Sequence, residues 1–258
     1  VAYDARGYVR DIATNLRVPL DTAMRVELDR GQELKPSRTR PARIAALWSS
    51  AALVWNFFSY WREHDSTPLA AALGMSDGRA ELRFEEPLPT GLEGDPPTTD
   101  VALLAPTGRI VAIESKFGEW LVRRPRNKTV LKDKYFPSGR RVWEEAGLVR
   151  CEAVARELQS GRERFKYFHA AQLLKHALGL ARGGWREPVL VYLYYDWPGR
   201  ESLVHRAEVE RFVAGIGPEV DLRVVAYQDL FAQLKAGVAG DYRAYLEARY
   251  FRPPAGRG

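Results

Sequence analysis

The sequence predicts an α/β protein, a central mixed β-sheet flanked by helices. Two apolar β-rich runs, 100–105 and 110–116, are joined by Pro106-Thr107-Gly108-Arg109, the signature of a β-hairpin. A further strongly β segment, 188–197, stands apart from that hairpin. Amphipathic stretches separate and follow these runs, and such alternation belongs to α/β architecture.

Residues 1–41 alternate charge signs, contain a helix-compatible piece at 20–34, and are expected to form a helical N-terminal lobe packed on the core. Pro36-Ser37-Arg38-Thr39-Arg40-Pro41 is a turn-rich basic linker, and a long helix is expected from Ala42 to near Glu63. Its uncharged run 44–61 contains Ser49, Ser50, Asn56 and Ser59, so it reads as a buried core helix and not a membrane span. A short helix at 68–75 is closed by Gly74 or Gly78. Residues 80–85 alternate as a strand, ended by Pro87 and Pro89. The run Ile110 to Ile113 has no polar alternation, which predicts a strand buried on both faces. After Lys116 comes an irregular segment; helical character returns at Val142, and 165–181 forms an amphipathic helix stopped by Gly183-Gly184. Helix 201–216, strand 222–226 and helices 228–235 and 241–250 complete a main domain spanning 42–250, and 251–258 is expected to be a disordered tail.

The length of 258 residues suits one sizeable core with elaborations. A single cysteine, Cys151, excludes an internal disulfide and a multi-cysteine zinc site; it fits a reducing, cytoplasmic setting and reads as a core filler. The net charge of +6 and pI of 9.4 are compatible with a polyanionic partner. No secretory signal is visible, and the start at Val1 leaves room for preceding residues. His169, His176 and His205 show no zinc-ligand spacing and read as core or surface histidines. Neither a Gly-x-Ser-x-Gly elbow nor a phosphate-binding Gly-x-x-x-x-Gly-Lys-Ser/Thr loop is present.

Chemistry concentrates at the end of the hairpin. Glu114 and Lys116 are two apart on a strand and share a face, and the turn returns Asp100 beside them. One reading is a rim ion pair between Lys116 and Glu114. The other is a site for a hard divalent cation, with Asp100, Glu114 and the backbone carbonyl of Ser115 as ligands. Lys116 would then orient or deprotonate the attacking water, or offset charge developing on a phosphate.

Asp100 with Glu114-Ser115-Lys116 resembles the PD-(D/E)xK nuclease superfamily, with Thr99 where a proline usually precedes the aspartate. The pattern Phe84-Glu85, Thr99-Asp100-Val101, Glu114-Ser115-Lys116, Trp143, Cys151 and Gln172-Leu173-Leu174 is most similar to type II-like restriction endonucleases. The resemblance covers residues 42–197. It implies a restriction endonuclease-like αβββαβ core with N- and C-terminal helical elaborations. It further implies Asp100 and Glu114 as metal ligands, Glu85 as an auxiliary acid (against an exposed strand-end pair with Glu86), Lys116 as water activator or charge stabiliser, and Gln172, with Lys175 on the same helix face, directed at the scissile phosphate. The expected activity is Mg²⁺-dependent cleavage of foreign double-stranded DNA, with Mn²⁺ as a substitute, by a homodimer with a companion methyltransferase and no membrane association. Rival readings are a structure-directed repair or recombination nuclease, a catalytically inactive DNA-binding module, and an α/β protein whose acids and lysine are structural ion pairs.

Between Leu121 and Val142 stand Arg123, Arg124, Arg126, Lys128, Lys132, Lys134, Arg140 and Arg141, opposed by Asp133 alone. This loop begins directly after Lys116 and is the expected contact for DNA phosphates, giving affinity but not sequence choice. Trp120, Tyr135, Phe136 and Trp143 are expected to pack beneath it. Arg38, Arg40 and Arg43 form a second, smaller basic patch.

Overall fold

Five strands form one mixed sheet in the order β1-β2-β3-β4-β5: Glu81–Pro87, Thr98–Leu104, Arg109–Lys116, Arg186–Tyr194 and Asp221–Ala226. The structure is a computed structural model and describes residues 2–122 and 130–252. β1, β2 and β3 pair antiparallel, and β4 and β5 join in parallel, as an α/β sheet with one hairpin-built side allows. Along β3 every residue from Ile110 to Lys116 is buried, which matches its unbroken apolar run.

Helices cover both faces. On one lie α1 (Thr22–Arg30), α2 (Ser50–Glu63), α3 (Thr67–Ala72), α8 (Tyr227–Leu234) and α9 (Gly240–Leu246), packed on alternate residues such as Phe84, Val101, Val111, Ile113 and Val191. On the other lie α4 (Val142–Glu145), α5 (Val149–Ser160), α6 (Ala170–Arg182) and α7 (Arg200–Ile216), packed on Ala102, Ile110, Ala112, Leu190 and Tyr192. The sheet's period of two sorts its side chains between these cores. Cys151 is wholly buried, and burial pushes its thiol up to about 12. Among the described residues no helix is long and apolar enough to cross a membrane.

Three expected boundaries shift, two of them for a tertiary reason. The helix expected from Ala42 begins at Ser50, because Val9 N–H donates to Ala45 O (2.9 Å) and Leu47 N–H to Gly7 O (3.0 Å). The backbone of 45–47 is committed to the N-terminal segment, and Ser49 then caps α2 by accepting from Ala52 N–H. The helix expected from Phe165 begins at Ala170, since the N–H groups of Lys166, Tyr167 and Phe168 donate to the Glu208 carboxylate. The last helix ends at Leu246 and continues as a wider turn over Glu247–Phe251.

Residues 1–41 were expected to be helical; their described part has α1 and a short 3-10 turn, Ile12–Asn15, with the rest irregular. α1 covers the β1 edge: Glu27 accepts from Phe84 N–H (3.0 Å) and holds Arg62 through two hydrogen bonds. Of the tail expected to be disordered, 253–258 lies outside the described residues.

Candidate active site

The ladder between β2 and β3 ends at Val101 and Ile113. Past that pair, side chains replace backbone bonds: Thr99 Oγ1 donates to Ile113 O (2.8 Å) and Asp100 Oδ2 accepts from Ser115 N–H (2.6 Å). β3 itself stays held, because its pairing with β4 runs on through Lys116 and Tyr194. The acids are therefore mounted where one side of the strand is released and the other is held.

Glu114 and Lys116 face α6, and the Lys116 ammonium donates to Glu114 Oε1. Glu114 is buried and its Oε2 has no hydrogen-bond partner. His176 Nδ1 stands 3.5 Å from that oxygen, also without a hydrogen bond. On the opposite face Ser115 Oγ meets the Tyr227 hydroxyl at 2.8 Å, fixing the strand from α8.

The electrostatics show unmet demand. Burial, followed by the Glu114 carboxylate, pushes Asp100 well above the ordinary aspartate value. Burial and the neighbouring Glu33 raise Glu85 to about 8. Burial alone would raise Glu114, but the Lys116 ammonium, through its charge and its hydrogen bond, outweighs it and holds the carboxyl below its usual value. For Lys116 burial acts downwards, and Glu114 and Asp100 more than offset it, so the ammonium stays charged. Burial drives His176 down to about 4, which leaves it neutral at pH 7.

Glu85 lies opposite Asp100 in the β1–β2 register and adopts φ +47°, a left-handed conformation uncommon outside glycine. Its carboxylate sits against Gly31, at the end of α1, where a Cβ would overlap it. Glu85, Asp100, Lys116 and Gln172 line one cleft of about 920 Å³, with Glu114 beneath the floor. Gln172 Oε1 is 2.8 Å from His169 Nδ1. The structure thus brings together all five side chains singled out for catalysis.

The basic residues divide differently. Arg123, Arg124, Arg126 and Lys128 lie outside the described residues. Lys132, Lys134, Arg140, Arg141 and Lys175 do not line the cleft. Lys134 donates to the carbonyls of Glu93 (2.7 Å) and Asp95 (3.3 Å), and Arg141 pairs with Glu144. Lys175 is half-buried, and burial lowers its pKa. Trp120, Tyr135 and Trp143 are buried under this region, so they pack and are not available to bases.

Arg40 and Arg43, from the smaller patch, do line the cleft. So do Glu33, Trp48 and Glu119, none of which carries a motif that sequence could have flagged. Glu33 pairs with Arg43 (3.1 Å), and burial raises its carboxyl.

The donor set also bears on a metal. Among the described residues no group of three or more His, Cys, Asp and Glu side chains is arranged to hold an ion. Two carboxylates, one with an unpartnered buried oxygen, are instead what Mg²⁺ takes when water and phosphate complete its shell. The residues present fit such an ion.

No curated protein and no solved structure matched this sequence. A family model described as "Restriction Endonuclease associating with ARP" matches residues 7–251, nearly the whole chain, and the protein belongs to that restriction endonuclease family.

Proposed function

We propose that this protein is a Mg²⁺-dependent endonuclease that hydrolyses phosphodiester bonds in double-stranded DNA. The observation that carries this reading is that Asp100 and Lys116 line one cleft while Glu114, bonded to Lys116, lies buried with its Oε2 unpartnered. Family membership supports the nuclease class. The order α2, β1, β2, β3, α6, β4 supports assignment of an αβββαβ nuclease core.

Asp100, Glu114 and the Ser115 carbonyl would hold the ion. Ser115 N–H points to β2, and a strand residue's carbonyl faces the same edge as its N–H. When bound, Mg²⁺ supplies Lewis acidity and an acidified water at the scissile phosphate. Lys116, kept charged by its acidic neighbours, offsets negative charge on the phosphate as water adds and the P–O bond breaks. This favours Lys116 as charge stabiliser over proton acceptor. Glu85, its carboxyl raised to about 8 by burial and Glu33, would protonate a leaving oxygen or join the ion shell after losing its proton. Gln172 reaches the cleft from α6 and positions the phosphate. A homodimer, a companion methyltransferase and the ARP association in the family description belong to the same reading.

The test is incubation with supercoiled plasmid and long unmethylated genomic DNA, in Mg²⁺ or in EDTA, beside Lys116→Ala. Discrete Mg²⁺-dependent fragments, absent with the variant, are expected. Nicking or a smear points to structure-directed cleavage; no cleavage with salt-sensitive retention of DNA points to a binding module.

A further inference from the structure

Trp48 stands out among the tryptophans. It is 54% exposed, whereas Trp55, Trp61, Trp120 and Trp143 are buried and Trp185 and Trp197 are partly so. A singly exposed hydrophobic side chain needs no explanation by itself, but this indole lines the same cleft as Asp100 and Lys116.

Its presentation is fixed. Leu47 N–H donates to Gly7 O and Ser49 N–H to Ala46 O, so the backbone is tied on both sides of Trp48. The ring packs edge-on to Tyr8 with centroids 5.7 Å apart. Gly7, at φ +73°, lies against the indole where any Cβ would overlap it. Only a residue without a side chain fits there, in a backbone conformation that also favours glycine. One ring edge is clamped while the rest stays open.

The surroundings define the ligand. Arg40 and Arg43 line the cleft beside Trp48, and the Arg43 side chain is largely exposed despite its contact with Glu33. A fixed aromatic face beside guanidinium groups matches a nucleotide strand, with bases to stack and phosphates to pair.

We propose that Trp48 is a stacking platform for a base turned out of the duplex, in the DNA strand whose phosphate lies over Lys116, with Arg40 and Arg43 holding adjacent phosphates. This rests on the DNA-cleaving reading above and adds a base contact that its ionic site does not supply.

The test is a fluorescence titration with short synthetic DNA, single-stranded and duplex, in EDTA so that no cleavage intervenes, with plasmid cleavage in Mg²⁺ run in parallel. DNA quenches wild-type tryptophan emission. Trp48→Phe binds but loses most of that quenching. Trp48→Ala binds about 5- to 150-fold more weakly, the range expected for one lost base stack. Its salt dependence is unchanged, because stacking releases no counterions, whereas Arg43→Ala lowers the salt slope by about 1. Undiminished quenching in Trp48→Phe overturns the platform, and this arm decides the matter if Trp48→Ala does not fold. If wild type and Trp48→Ala bind and cleave alike, the platform is wrong and the nuclease reading stands. If wild type neither binds nor cleaves DNA, both fall.

Discussion

Glu208 and the acids of the cleft are buried carboxylates with opposite fates. Glu208 on α7 accepts three backbone N–H groups, from Lys166 (2.5 Å), Tyr167 (2.9 Å) and Phe168 (2.9 Å). Those donors match its charge, and in return the carboxylate orders the entry to α6. Glu85 and Glu114 are as enclosed as Glu208 and Asp100 is half-buried, yet each stands in the field of another acid, and Glu114 Oε2 has no donor. The first arrangement is complete without a ligand. The second is not, and a buried acid with unmet demand is where a cation or phosphate chemistry enters.

Asp100→Asn should give the largest effect in the cleft: Mg²⁺-dependent cleavage falls by on the order of 10²- to 10³-fold or more. Thermal stability in EDTA holds or rises, since a poorly solvated charge is removed, and the increase in Tm that Mg²⁺ gives the wild type disappears. A large loss of stability in EDTA would erase the contrast with Glu208.

Glu208→Ala should do the reverse. It strands three backbone donors and costs about 3 kcal/mol, measured by urea unfolding. For a chain of this size that lowers Tm by roughly 6–12 °C. The protein that remains folded should cleave with a normal response to Mg²⁺.

The pH dependence separates the two kinds of acid more finely. Glu85 has a folded pKa of about 8 against 4.5 for the free group. Between those values the unfolded chain gives up this proton while the folded chain keeps it. Stability of the metal-free protein therefore falls as pH rises from about 4.5 to about 8. In Glu85→Gln, Tm recorded across that range should decline less steeply.

The smallest expected effect lies on the acid side. Burial lowers His205 from 6.5 to about 4, and its ring packs on Trp120 with Nε2 at 2.8 Å from the Tyr192 hydroxyl. The unfolded chain takes up this proton first, so stability present above pH 6.5 is lost as pH falls towards 4. His205→Gln should flatten that limb of the Tm profile.

What was legible in the sequence was local. Asp100, Glu114 and Lys116 lie within one hairpin, so strand periodicity and a turn suffice to bring them together. Gln172 could be placed because its helix is strongly amphipathic. Glu33 and Trp48 join the cleft only through the path of the irregular N-terminal segment, which no periodicity encodes. The starts of α2 and α6 were set by hydrogen bonds from residues about forty positions away, which override propensity. Charge density in 121–142 was plain, but density does not give direction: the basic side chains described there lie off the cleft, and some already have partners within the protein.

The attachment of β3 to β4 sets when activity can appear during synthesis. By Gln172 the ribosome has made all five side chains singled out for catalysis, yet the strand that holds Glu114 and Lys116 from the far side comes only with Arg186–Tyr194. Tyr227, which secures Ser115, is made later still. Chains stalled or truncated before these points carry the proposed catalytic residues without the strand and tyrosine that hold them. On the proposed reading, an unfinished chain would leave nearby DNA uncut.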